Sequence, residues 1–145
     1  MSTKTDPIVQ AYLFFNGTCE QALEFYKKAI GAEVQFTMRY KESPEPPPPG
    51  MHPPGSENKI MHACFKIGDT RVYASDGRCS GQPNFQGFSL SIGVADERQA
   101  DKLFAGLKEG GEVVLPLTKT FFSPRFGMVK DRFGVSWMVI VPQAE

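Results

Sequence analysis

Two histidines stand out, because imidazole is the side chain whose ordinary titration falls near neutral pH. His62 lies in a run, Lys59 to Ile67, in which Met61, Ala63, Phe65 and Ile67 alternate with His62, Cys64 and Lys66. Period-two alternation reads as a strand, so the histidine, the thiol and the lysine share one face. The next run, Arg71 to Ser75, puts Tyr73 and Ser75 on its more polar side, where they are placed to orient His62. An imidazole there serves as a general base, as a polar anchor for a ligand, or as a histidine hydrogen-bonded only for packing. Cys64 is either a nucleophile beside His62, across a pleat, or a small buried hydrophobe. His52 falls among prolines and reads as a solvated loop residue. Lys119, Arg125, Lys130 and Arg132 give the C-terminal half local positive charge, interrupted by Asp131. They read as solvated or paired with that aspartate, or else as an anion site. Trp137 and the pair Phe121-Phe122 suit a core or a cavity wall.

The elements that position these residues form a repeat. A helix is predicted over Cys19–Ile30, with Thr18 as cap, Gln21 completing a capping box, and Gly31 as the left-handed terminator. A second is predicted to begin at Asp96, with Gln99 in the box position, and to end at Gly110-Gly111. Strands are predicted at Val9–Asn16, Glu33–Tyr40, Lys59–Ile67 and Arg71–Ser75, then at Gly87–Val94, Glu112–Leu117, Phe126–Lys130 and Ser136–Val141. Gly68-Asp69 and Phe133-Gly134 supply turns before the last strand of each half. Each half therefore reads β-α-β-β-β, the first over 8–76 and the second over 86–142, within one domain of 1–145. Between Lys41 and Asn58 the first half carries a proline-rich loop, in which Pro46–Pro49 favour polyproline II.

Alternation gives each sheet a strongly apolar face for the helices and a semi-polar one. The semi-polar side carries His62, Cys64, Tyr73, Ser75, Ser89, Ser91 and Met138. Such a lining suits a cavity with sparse polar anchors, or else an open wetted sheet. The 145 residues carry 16 basic and 16 acidic side chains, a balance that argues against nucleic acid and membrane surfaces as partners. No apolar run approaches the length of a membrane helix, and the polar start shows no secretory signal, so a cytoplasmic location is expected. Three cysteines without C-x-x-C spacing indicate neither a disulfide framework nor a zinc knuckle. There is no P-loop, H-E-x-x-H or G-x-S-x-G, and no glycine-rich strand-to-helix turn for a nucleotide-type cofactor.

The segments Tyr12-Leu13-Phe14-Phe15-Asn16-Gly17 and Cys19 to Tyr26 resemble the first strand and helix of the vicinal oxygen chelate superfamily, the glyoxalase, bleomycin-resistance and extradiol-dioxygenase group. His62-Ala63, Ile67-Gly68, Ser75-Asp76 and the block Phe126 to Trp137, with its Asp131-Arg132-Phe133-Gly134-Val135, resemble its PhnB-like branch. The resemblance implies an α+β fold of two βαβββ modules forming a U-shaped mixed sheet, in a homodimer. In metal-using members four His, Glu or Gln-type ligands hold a divalent ion. Those slots fall here on Gln10, Tyr73, Ser89 and Met138, of which only Gln10 is an ordinary hard-metal ligand. No metal and no cofactor are therefore expected. Some branch members carry a demethylubiquinone methyltransferase label, but no residue pattern here supports methyl transfer. The expectation is a small-molecule binder without the usual metal. Its cavity is lined by Gln10, Cys64, Tyr73, Ser75, Ser89, Ser91 and Met138, with His62 as the candidate catalytic residue. The alternatives are a glyoxalase-like lyase or isomerase, with His62 as base or with an atypical metal, and a drug-sequestering resistance protein.

Overall fold

The apolar positions of Cys19–Ile30 recur on one side, and that segment forms helix α1 with Cys19, Ala22, Leu23, Tyr26 and Ile30 buried. Gly31 closes it at φ 69°, its amide donating to the Tyr26 carbonyl. A computed structural model describes residues 7–45 and 52–143, so Pro46–Pro49 and the first six residues lie outside the described part. Helix α2, Glu97–Lys108, starts as its sequence predicts. The Gln99 amide donates to Asp96 Oδ1 (2.8 Å), and Gln99 Oε1 accepts from the Ala95 amide (3.1 Å).

The start of α1 departs from expectation. The Thr18 hydroxyl turns back to donate to the Phe15 carbonyl (3.0 Å) and caps nothing. Its place is taken by Asp76, 57 residues beyond Cys19, whose Oδ1 accepts the amides of Gly17 (2.7 Å) and Cys19 (2.8 Å). The other oxygen, Oδ2, accepts the Ile60 amide (2.8 Å). A buried carboxylate thus ties the helix entry to two strands, satisfying donors that the chain's own turn leaves open.

The strands are β1 (Tyr12–Phe14), β2 (Glu33–Arg39), β3 (Ile60–Ile67), β4 (Thr70–Ser75), β5 (Leu90–Gly93), β6 (Glu112–Thr118), β7 (Phe126–Lys130) and β8 (Ser136–Ile140). They make two four-stranded mixed sheets, ordered β1-β4-β3-β2 and β5-β8-β7-β6, so each half is βαβββ and the class is α+β. In each sheet the first strand pairs parallel to the last, and the remaining pairs are antiparallel. β1 and β5 are shorter than predicted, each being an edge strand with a single short partner.

Much of each predicted apolar face is buried, Ala63, Phe65, Val72 and Ala74 in one sheet and Trp137 and Val139 in the other, while Phe88 is exposed. Met61 is an exception. Met38 pairs with His62 but Arg39 with Ile60, so a bulge at Met61 breaks the alternation. Ile60 takes the core position, and Met61 lines a surface pocket instead. The helices lie so close that a side chain at Gly106 would overlap the backbone of Ala29. Tyr26 from α1 stacks on Phe65 (5.6 Å between ring centroids) and meets Trp137 edge-on (5.4 Å). Its hydroxyl donates to Asp131 Oδ2 (2.6 Å), which also accepts from Trp137 Nε1 (2.8 Å). The other Asp131 oxygen accepts the amides of Phe133 and Val135. The two halves share one core around this junction.

Candidate functional site

His62 sits on the half-exposed face of the first sheet, beneath aromatic neighbours. The register places Tyr12 directly beside Tyr73. Tyr12 Oη lies 3.0 Å from His62 Nδ1, and the Tyr73 ring stacks 5.6 Å from the imidazole. Phe36 on β2 approaches from the other side at 6.0 Å. Tyr73 therefore positions His62 by stacking, while the hydrogen bond comes from Tyr12. Ser75 does not orient His62: its hydroxyl accepts the Gly77 amide (3.1 Å) and completes the turn after β4.

At the β4 end of this face lies an open pocket of about 640 Å³. Tyr12, Phe14, Tyr40 and Met61 make its apolar walls; Asn16, Ser75, His52 and Arg78 are among its polar ones. His52 is not solvated as its loop position suggested. Its ring packs 4.3 Å from Tyr40, and Nε2 lies 3.0 Å from the Gly77 carbonyl, to which the Tyr40 hydroxyl also donates. Nε2 must carry a proton in that bond, and Nδ1 is buried with no partner among the described residues. Burial pushes the Tyr40 phenol up to about 12, so it remains a donor. Asn16 (φ 51°) and Cys79 (φ 60°) are the non-glycine residues of the described chain held at positive φ. Asn16 lines the pocket, and Cys79 stands between its lining residues Arg78 and Ser80. Such strain gathers at functional sites more than elsewhere.

The other expected site residues are not gathered here. Gln10 precedes β1 and, with Ser91, lines a separate crevice of about 370 Å³. The Ser89 and Ser136 hydroxyls bond each other at 2.6 Å. Met138 pairs across β8 with Ser91 and Met128. Cys64 is buried between Phe36 and Tyr73 in the ladder, on the His62 face. Nor do the basic residues pair with Asp131: Arg125 bridges to Asp101 (2.7 Å), and Arg132 lies over the Phe25 ring (4.7 Å).

The register pairs other residues than the expected metal slots. Tyr12, not Gln10, stands opposite Tyr73, and Ser91, not Ser89, stands opposite Met138. Two phenols, a hydroxyl and a thioether are a poor donor set for a hard divalent ion. Among the described residues no three His, Cys, Asp or Glu side chains converge. The residues present do not fit the metal centre that the resemblance implies.

Tyr12, Asn16, Tyr40, His52 and Arg78 line the pocket with no periodicity in the sequence to mark them as its residues. The dipeptides Asn16-Gly17 and Asp76-Gly77 were the available signal, since such pairs mark tight left-handed turns.

Residues 7–140 match the family described as 3-demethylubiquinone-9 3-methyltransferase. Protein YjdN of Escherichia coli (strain K12) is 31% identical over 137 residues, covering 90% of this chain and 92% of that protein. The crystal structure of PA1353 from Pseudomonas aeruginosa superposes with a TM-score of 0.82 at 36% identity, over 96% of this chain and all of the other. A PhnB protein from Bacillus cereus follows at 0.76 and 26%, over 93% and 99%. The fosfomycin resistance protein FosX of Listeria monocytogenes shares the fold alone, at 0.66 and 9% identity over 95% and 94%. With these matches over nearly its whole length, the chain belongs to the PhnB-like, 3-demethylubiquinone-9 3-methyltransferase-like family of the vicinal oxygen chelate superfamily.

Proposed function

We propose that this protein binds a small organic molecule in the pocket between Tyr12, Tyr40 and Gly77, without the metal centre of its metal-using relatives. The preformed, aromatic-walled cavity is the observation that carries this reading, since ligand sites are concave, mostly apolar and sparsely polar. His62 acts from the adjoining sheet face as an anchor. When the Tyr12 phenol donates to Nδ1, the proton sits on Nε2, so the outward nitrogen donates to a ligand rather than taking a proton.

The methyl-transfer name of the family is not carried over. The amides at the start of α1, where an anionic cofactor group would dock, are already occupied by Asp76. We also infer a homodimer, supported by edge strand β6, which is exposed along nearly its whole length despite Val113, Val114 and Leu115. A cytoplasmic location accords with three free cysteines.

Amide chemical shifts of isotopically labelled protein, screened against a fragment library, test the binding reading. Shifts clustering at Tyr12, Ser75 and Gly77 support it; shifts confined to the Gln10–Ser91 crevice overturn it. Replacing His62 by Ala is expected to weaken any such ligand about three- to tenfold while the melting midpoint barely moves. Turnover of a bound compound that is lost in His62→Ala would instead make the protein a lyase or isomerase.

A further inference from the structure

The charges at the rim of the Tyr12–Gly77 pocket narrow the class of its ligand. Two ionic side chains line this cavity, Glu45 and Arg78, and neither makes an ion pair with a described residue. Their footing differs. Arg78 stands on the turn Asp76–Cys79, where the Asp76 carboxylate takes the amides of Gly17, Cys19 and Ile60. The Asp76 carbonyl takes the Cys79 amide (2.8 Å), and the Gly77 carbonyl is held by Tyr40 and His52. Gly77 and Cys79, on either side of Arg78, are both fixed at positive φ, 54° and 60°. Among the described residues Glu45 has only local tethers, its amide donating to Ser43 Oγ (3.2 Å) and its carbonyl accepting from that hydroxyl (2.7 Å). The charge carried on a fixed stretch of backbone in this pocket is positive. Against it stand the rings of Tyr12 and Phe14, 4.9 Å apart and both exposed. A guanidinium offers a planar fork to a carboxylate, and exposed rings offer a surface to a flat apolar body.

We propose that the pocket selects organic anions with a flat aromatic body, the anionic group held by Arg78 and the ring laid against Tyr12 and Phe14. This rests on the pocket being the ligand site, and the test separates the two claims. Three probes of one shape, 2-naphthoate, 2-naphthamide and 2-naphthylmethylammonium, are titrated into the full chain and followed by amide chemical shifts. Naphthoate is expected to bind about tenfold tighter than naphthamide, with the ammonium weakest. Arg78→Gln is expected to weaken naphthoate about tenfold and naphthamide less than twofold, at an unchanged melting midpoint because Arg78 is exposed. Glu45→Gln, which removes the negative charge from the rim, is expected to tighten naphthoate. Equal affinity for naphthoate and naphthamide, tighter binding of the ammonium, or indifference to Arg78→Gln would overturn the anion preference while the pocket stands. Failure of all three probes to shift Tyr12, Ser75 or Gly77 would overturn the pocket and this inference with it.

Discussion

Asp131 is 3% exposed, makes no ion pair with a described residue, and accepts from four donors: two amides, an indole and a phenol. In the sequence it stands among basic residues, which invited a reading as their partner. Its real partners, Tyr26 and Trp137, are invisible to spacing because one lies 105 residues away. Tyr26→Phe removes one donor to a charged acceptor and is expected to cost about 1.5–3 kcal/mol. Asp131→Ala strands several buried donors and should cost more, read as a lower urea midpoint at constant slope. Burial and nearby Asp131 push the Tyr26 phenol well above its usual range, and burial chiefly does the same to the Cys19 thiol. Both stay neutral in the folded chain, whereas the unfolded chain ionises the Cys19 thiol near pH 8.5 and the Tyr26 phenol near pH 10, roughly. Their contribution is complete below those values and is lost as pH rises, at about 1.4 kcal/mol per unit for each ionising group. Urea titrations from pH 7 to 10.5 should show that fall, with its onset delayed in Cys19→Ala; a flat profile would contradict it.

Helices were more legible than the ends that hold them. Both apolar stripes and the Asp96–Gln99 cap follow from local spacing, and the structure keeps them. Thr18 has the right residue type for the α1 cap, but the group that does the capping arrives from the end of the neighbouring strand β4, 57 residues beyond Cys19. Asp96→Ala is therefore expected to cost about 1 kcal/mol. Thr18→Ala should cost much less, and Asp76→Ala the most, since three amides, two of them buried, lose their acceptor; thermal midpoints rank the three. Gly106→Ala presents a contest of signs. Alanine gains about 1 kcal/mol of helix propensity, but its methyl collides with the Ala29 backbone, and overpacking costs about 1–3 kcal/mol. A net loss of stability is expected. The bulge at Met61 was hidden for a different reason: period two carries no mark of where it slips.

At the scale of the molecule the βαβββ pair was legible, because hydrophobic periodicity and paired helix boundaries recur at nearly fixed spacing. Less of the candidate site was legible: His62 and Tyr73 do meet, while Gln10 and Ser89 lie two residues from the positions that pair with Tyr73 and Met138. Which residues enclose a cavity depends on how turns and loop stems converge, and Tyr40, His52 and Gly77 meet across long separations. Val114 is 56% exposed on edge strand β6. Light scattering should return twice the chain mass, and Val114→Lys should shift it toward a single chain if that edge is the contact. The Tyr26–Asp131 bond also has a consequence for the order of events during synthesis. The first half emerges from the ribosome with its central tyrosine made, but the carboxylate, the indole and the Phe133 edge that cover it lie a hundred residues behind. Until they are released, the early half carries an open aromatic seam. A nascent chain stalled near Pro116 should be cut readily by protease, and one released in full should resist it.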